Sequence, residues 1–221
     1  MRTSKLPDDY LIRVYENCKI PPRICVLSLS ELETESRAKQ LWENVTERAQ
    51  TWKNGYSEKR GVLYAGSQGS GKSTALFFSA RAAVKSYVYA NPPKDFTGIL
   101  NPPIFIREFP EWLRFEFAPQ GESNKWNFHL LDQITNSRSI FFDDLTLDPS
   151  SEAFKPVREF LFLLTNRLSN MVKPTALYIS TNNTGAEWDS LLGSQLVERI
   201  IGKKTGLCET IKCNWKSFRN D

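Results

Sequence analysis

The most restrictive feature of the sequence is a glycine-rich turn that lies between two apolar stretches, within residues 61–86. The short run Val62–Tyr64 before the turn predicts a buried strand, and the alanine-rich stretch after it predicts a helix. Glycines at such a junction let successive backbone N–H groups point at a phosphate chain, and the helix N-terminus adds its positive dipole end. The turn fits the pattern G-x-x-x-x-G-K-[ST], the phosphate-binding P-loop. Its residues are Gly66, Ser67, Gln68, Gly69, Ser70, Gly71, Lys72 and Ser73.

The P-loop predicts ATP and Mg²⁺ as the cofactors of the protein. In P-loop proteins the lysine of the motif reaches the β- and γ-phosphates, and the hydroxyl that follows it holds the metal ion. We therefore expect Lys72 to act in catalysis and Ser73 to ligate Mg²⁺, with the stretch Gly66–Thr74 binding the nucleotide.

Two carboxylates end another buried strand, which is predicted over Ser139–Asp144. With a P-loop in the same chain, Asp143 is expected to orient Mg²⁺, directly or through water, and Asp144 to polarise the attacking water. Without a P-loop, the same pair of carboxylates would be explained better as a loop that caps a helix.

Another polar residue follows the strand predicted over Thr175–Ser180. Ligands of parallel sheets bind at the carboxyl ends of the strands, so we expect Asn182 to lie beside the γ-phosphate, with Asn183 as the alternative. Either asparagine could instead form a turn.

Strands alternate with helices along the chain, which predicts an α/β fold with a parallel sheet covered by helices on both faces. A further strand is predicted over Ile104–Arg107. Residues 1–30 are expected to be irregular, because Pro7, Pro21 and Pro22 interrupt them. Helices are predicted over about Leu32–Lys53, Glu111–Phe117, Phe128–Thr135 and Phe154–Leu168.

Composition excludes several classes of protein. A hydrophobic content of 40% is too high for a disordered chain, and no apolar run approaches the ~18 residues of a membrane span. The first residues lack the apolar core of a signal peptide, so we expect a cytoplasmic protein with reduced thiols. The spacings of the cysteine pairs Cys18/Cys25 and Cys208/Cys213 match none of the usual zinc motifs, which favours buried thiols over a metal site.

Several short segments, in chain order, resemble the motifs of one family, the DnaC/IstB-like group of AAA+ ATPases. The resemblance covers nearly everything from Ile20 to Arg219. The segments are Ile20-Pro21-Pro22-Arg23, Asp143-Asp144-Leu145, Leu164-Thr165-Asn166-Arg167, Lys173-Pro174-Thr175, Ser180-Thr181-Asn182, Leu191-Leu192-Gly193 through Glu198-Arg199-Ile200, and Asn214-Trp215-Lys216-Ser217-Phe218-Arg219.

The resemblance implies roles for three of these residues: Asn182 as sensor 1, Arg199 as an arginine finger and Arg219 as the sensor 2 arginine. It implies an AAA+ P-loop NTPase domain over 31–221, a short N-terminal segment over 1–30 and no separate helical lid domain. An arginine finger acts on the nucleotide of a neighbouring subunit, so a ring or spiral of identical chains is expected, with hydrolysis that depends on assembly.

The function implied by the resemblance is that of a helicase loader, an ATPase that binds single-stranded DNA and helps place a replicative hexameric helicase on it. An IstB-like transposition helper would use the same machinery. Two other classes stay open: a P-loop small-molecule kinase, and a nucleotide-gated switch with negligible turnover.

Two stretches have alternative explanations that concern partners. Tyr10, Leu11, Val14 and Tyr15 recur at helical spacing and could form a small docking helix or pack on the core. Aromatic and basic residues alternate over 107–128, where they could stack on the bases of single-stranded DNA or build the core.

Overall fold

The computed structural model describes residues 7–28, 38–119, 125–171, 175–203 and 206–213. The helices are α1 (Asp8–Asn17), α2 (Pro22–Val26), α3 (Lys39–Ala49), α4 (Lys72–Ala90), α5 (Phe109–Trp112, continued by a π-helical turn, Leu113–Phe117), α6 (Leu130–Thr135), α7 (Phe154–Ser169), α8 (Gly185–Leu192) and α9 (Ser194–Ile201). The strands are β1 (Trp52–Lys53), β2 (Tyr56–Ser57), β3 (Gly61–Gly66), β4 (Ile104–Glu108), β5 (Ser139–Asp143), β6 (Ala176–Thr181) and β7 (Cys208–Cys213).

Five strands form one parallel sheet in the order β4-β5-β6-β3-β7. Its central strands are buried along almost their whole length, which explains why they read as continuous apolar runs rather than as alternating ones. Successive side chains contribute to opposite faces: Val62 and Tyr64 pack with α1–α4, whereas Leu63 and Ala65 pack with α5–α9. The predicted α/β fold with helices on both faces is confirmed.

The prediction that residues 1–30 are irregular is wrong. Helices α1 and α2 lie within this stretch, and their prolines stand where helices begin: Pro7 precedes α1, and Pro22 is the first residue of α2. The four residues at helical spacing in α1 are buried in the core, and α1 packs against α2 and α4. The structure therefore shows that these four side chains pack on the core.

The helix predicted over Leu32–Lys53 ends earlier than expected, and the first residues of the predicted range lie outside the described part of the chain. Helix α3 ends at Ala49, and Trp52 belongs to a β1–β2 hairpin. Asn54 and Gly55 form the turn with φ of 53° and 79°, the left-handed geometry of a tight hairpin. This Asn-Gly pair is the signal that could have predicted the hairpin.

Five of the six aromatic side chains in the 107–128 stretch pack in or against the core: Phe109, Trp112 and Phe117 are buried, and Trp126 and Phe128 are half-buried beside them. Trp112 is fully buried and stacks on Phe117 with ring centroids 5.0 Å apart, beside Phe109. Phe115 is the exception, since 60% of its surface is exposed. No helix in the described part of the chain is long and apolar enough to cross a membrane.

Strands β3 and β6 approach each other closely at Gly61. A Cβ at Gly61 would lie 1.7 Å from the backbone oxygen of Leu177, so the strands would have to separate. We expect Gly61→Ala to lower the free energy of unfolding by about 3 kcal/mol, measured by urea denaturation. The control is Gly98→Ala, because nothing lies within 4 Å of a Cβ there. Equal stability of the two variants would contradict the packing of β3 on β6.

Candidate nucleotide-binding site

A polar cleft of about 460 Å³ opens at the carboxyl edge of the sheet. The P-loop forms one wall, and the ends of β4, β5 and β6 form the opposite one. Of the predicted binding residues, the stretch Gln68–Thr74 lines the cleft, while Gly66 ends β3. The structure therefore brings the P-loop to the sheet edge where parallel sheets bind ligands.

The P-loop has the backbone shape that phosphate binding needs. Gly69 and Gly71 have φ of 78° and 83°, in the left-handed region that other residues adopt only with strain. The carbonyl of Ser67 accepts two hydrogen bonds, from Ser70 Oγ at 2.8 Å and from Lys72 Nζ at 2.6 Å. Lys72 is thus held inside the loop, with 6% of its surface exposed.

Asp143 and Ser73, the two expected magnesium ligands, lie together. The hydroxyl groups of Ser180 and Ser73 both hydrogen-bond to the Asp143 carboxyl group. Burial raises the pKa of this carboxyl group, Asp144 adds to the rise, and the two hydroxyls oppose it. Asp143 forms no ion pair within the described residues. A buried carboxylate beside a hydroxyl, without a cation, fits a hard metal ion such as Mg²⁺.

Asp144 is exposed to the cleft and oriented by its neighbours. Its backbone has φ of 53°, a rare conformation for a residue other than glycine that is found at functional sites. The side-chain amide of Asn182 donates to Asp144 Oδ1 at 3.0 Å, and Thr146 Oγ1 donates to the same oxygen at 3.1 Å. Because both donors hold one oxygen, the other oxygen of Asp144 is available to a reacting group.

The two candidate asparagines have different surroundings. Asn182 lines the cleft. Asn183 is buried, and its Oδ1 accepts a hydrogen bond from the backbone N–H of Leu147 at 2.7 Å. Asn183 therefore fixes the loop after β5, and Asn182 is the asparagine in reach of a ligand.

Two lining residues, Glu108 and Arg23, were not identified as site residues from the sequence. Glu108 pairs in register with Asp143, and burial together with the charges of Asp143, Glu111 and Asp144 raises its pKa. Strand β4 extends one residue beyond the predicted end at Arg107, and that residue is Glu108. Arg23 stands in a recognised motif, but nothing in the sequence shows that α2 lies against the P-loop.

Arg199 does not line the cleft of its own chain. Its guanidinium donates to Asn166 Oδ1 on α7 and lies 5.0 Å from the ring centroid of Phe162.

The loop after α9 is held by Arg60, which donates to the carbonyls of Gly202 at 2.8 Å and of Gly206 at 3.0 Å. Arg219 lies outside the described residues.

The cysteines provide no second site. All four thiols are free and buried, and burial raises the pKa of Cys25 to about 11 and that of Cys18 to about 12. Within the described ranges, no group of three or more His, Cys, Asp or Glu side chains is arranged to hold a metal ion.

Solved structures share this architecture at low sequence identity. DnaI is 18% identical, with 89% of this chain and 93% of that chain covered and a TM-score of 0.58. The DnaC helicase loader is 17% identical, with coverage of 80% and 90% and a TM-score of 0.52. The chain shares the fold of DnaI and of the DnaC helicase loader.

A similar fold also occurs in a protein whose structure contains a nucleotide analogue. AMPPCP-bound DnaA from Aquifex aeolicus is 13% identical, with 87% of this chain and 50% of that chain covered and a TM-score of 0.53. No protein-family model and no curated protein matches the sequence.

Because Asp143 is buried, we expect its negative charge to lower the stability of the folded protein. Its raised pKa means that the charged form is disfavoured by the folded protein, so Asp143→Asn should raise the unfolding temperature without nucleotide at neutral pH. We expect a rise of roughly 2–4 °C, measured by calorimetry. Asp144→Asn is the matched control, because Asp144 is exposed and its change should leave the temperature nearly constant. A lower unfolding temperature for Asp143→Asn would show that its hydrogen bonds outweigh its desolvation.

Proposed function

We propose that the protein is an ATP-dependent helicase loader that assembles through its nucleotide sites, binds single-stranded DNA and helps place a replicative hexameric helicase on it. The observation that carries the proposal is the P-loop cleft with Ser73 beside Asp143 and Asn182 beside Asp144. These contacts occur in a chain whose fold is similar to those of DnaI and DnaC.

Each group in the cleft has a distinct part in ATP hydrolysis. Bound Mg²⁺ would supply positive charge to the β- and γ-phosphates, held by Ser73 and Asp143. Lys72 binds the same phosphates with its ammonium group, and the backbone N–H groups of the P-loop surround them. Asp144 accepts a hydrogen bond from the attacking water and orients it, and Asn182 keeps Asp144 in place.

The position of Arg199 is the reason to propose an assembly. An arginine finger stabilises charge on the transferred phosphoryl group, yet Arg199 contacts Asn166 and Phe162 and does not line the cleft of its own subunit. Arg199 is half-buried, and the Phe162 ring beside its guanidinium is 43% exposed. We propose that Arg199 acts on the nucleotide of the adjacent subunit, so that hydrolysis requires assembly.

Mixing two inactive variants tests this arrangement. Arg199→Ala keeps a complete P-loop but lacks the finger, whereas Asp144→Asn keeps the finger but lacks the residue that orients water. Each alone should hydrolyse ATP at least ~100-fold more slowly than the unsubstituted protein. An equal mixture should recover about a quarter of the unsubstituted rate, since one of four neighbour pairings joins a site with an intact Asp144 to a neighbour with an intact Arg199.

The control for the mixing experiment is Arg167→Ala, a change of an exposed arginine on α7 that pairs with Asp132. Its rate should stay within twofold of the unsubstituted protein and rise with protein concentration in the same way. If the mixture stays as inactive as its components while Arg167→Ala is normal, Arg199 does not act between subunits.

The proposed partner requires a separate test. With ATP, the protein should co-elute with a replicative hexameric helicase in size-exclusion chromatography and increase helicase loading on a circular single strand by at least ~10-fold. Lys72→Ala should lose both effects, because the phosphates are no longer bound. Association with a transposase instead of a helicase would redirect the proposal to transposition, with the same ATPase cycle.

A further inference from the structure

Arg23 is one of the two cations that line the cleft. Its side chain lines the cleft together with the P-loop and is exposed. Within the described part of the chain, it makes no side-chain hydrogen bond, ion pair or ring contact. Lys72, the other lining cation, is bonded to the carbonyl of Ser67. Arg23 is therefore the cleft cation whose hydrogen-bonding capacity is unused.

The fold holds Arg23 at this position. Arg81, on the P-loop helix α4, donates to the carbonyls of Ile24 and Leu27, each at 2.6 Å. Ile24 and Cys25 are buried, which anchors α2 on the same face of the sheet as α4. Because α2 is fixed to the helix that follows the P-loop, Arg23 lies at a defined place beside the loop.

The carboxylates that line the cleft outnumber its cations. The described lining residues include two cations, Lys72 and Arg23, and three carboxylates, which belong to Glu108, Asp143 and Asp144. A magnesium-bound ATP brings further negative charge, so an unpaired arginine in this cleft gains more from the nucleotide than from the protein. Arginine presents a planar fork of donors that matches phosphate oxygens.

The lining also indicates which part of the nucleotide Arg23 contacts. Among the described lining residues, Pro110 is the only one with an apolar side chain of more than one carbon, and none is aromatic. Nucleotide bases bind in apolar and aromatic surroundings, whereas phosphates bind where donors converge. We propose that Arg23 binds the phosphate chain of the nucleotide held by the P-loop of the same subunit.

The proposal rests on nucleotide binding by the P-loop and makes Arg23 a binding residue distinct from Arg199. It is tested by the dissociation constants of Arg23→Ala for ATP, ADP and adenosine in the presence of Mg²⁺, measured by calorimetry. We expect about tenfold weaker binding of ATP, a smaller or equal loss for ADP, and no change for adenosine. Arg23→Lys should recover part of the loss, because it keeps the charge but not the fork of donors.

The matched control is Arg13→Ala on α1, whose side chain donates to the carbonyl of Phe96 away from the cleft. It should bind ATP as the unsubstituted protein does. Unchanged ATP binding by Arg23→Ala, or an equal loss for adenosine, would overturn the contact with phosphate. Failure of the unsubstituted protein to bind ATP would instead overturn the proposed function, and this proposal with it.

Discussion

The hydrogen bond between Ser180 and Asp143 joins the ends of two neighbouring strands at the edge of the sheet. Ser180 also accepts the backbone N–H of Asp144 at 2.9 Å, and its carbonyl accepts the N–H of Leu145 at 2.8 Å. These three contacts fix where β5 stops and how the chain turns beyond it. The orientation of both carboxylates toward the P-loop depends on this junction.

The same junction explains how a buried charge can be placed in an otherwise apolar sheet. Asp143 follows Phe141 and Phe142, which are completely buried, and it is itself almost entirely removed from water. Two hydroxyl groups reduce the desolvation cost without neutralising the carboxylate. The free protein thus keeps an electrostatic cost that a bound metal ion would remove, which couples folding stability to ligand binding.

Much of the architecture could be predicted from the sequence because its central strands are long apolar runs that end in polar residues. The P-loop, β5 and β6 were recognised in this way, and Asn182 was preferred over Asn183 from its position alone. Strand β7 was missed, since its buried residues Cys208 and Cys213 flank an exposed, polar middle. Helices α1 and α2 were not predicted, because the sequence alone does not distinguish a proline that begins a helix from one that interrupts it.

Side chains that come from distant parts of the chain could not be placed without the fold. Arg23 is 43 residues before the start of the P-loop in the printed sequence, and only the packing of α2 on α4 brings them together. Arg199 could be matched to a motif, but its contacts with Asn166 and Phe162 depend on how α9 crosses α7. Sequence periodicity describes single elements and is silent on such crossings.

Arg60 connects the loop after α9 to the central sheet. Arg60 immediately precedes β3, and its bonds to Gly202 and Gly206 fasten the end of α9 to the strand that leads into the P-loop. These hydrogen bonds thereby link the end of the helix that carries Arg199 to the strand that leads into the P-loop. In the assembly proposed above, this link would hold Arg199 and the P-loop of one subunit at a set distance and angle, so the pitch and closure of the assembly would depend on the inside of the subunit as well as on its contacts.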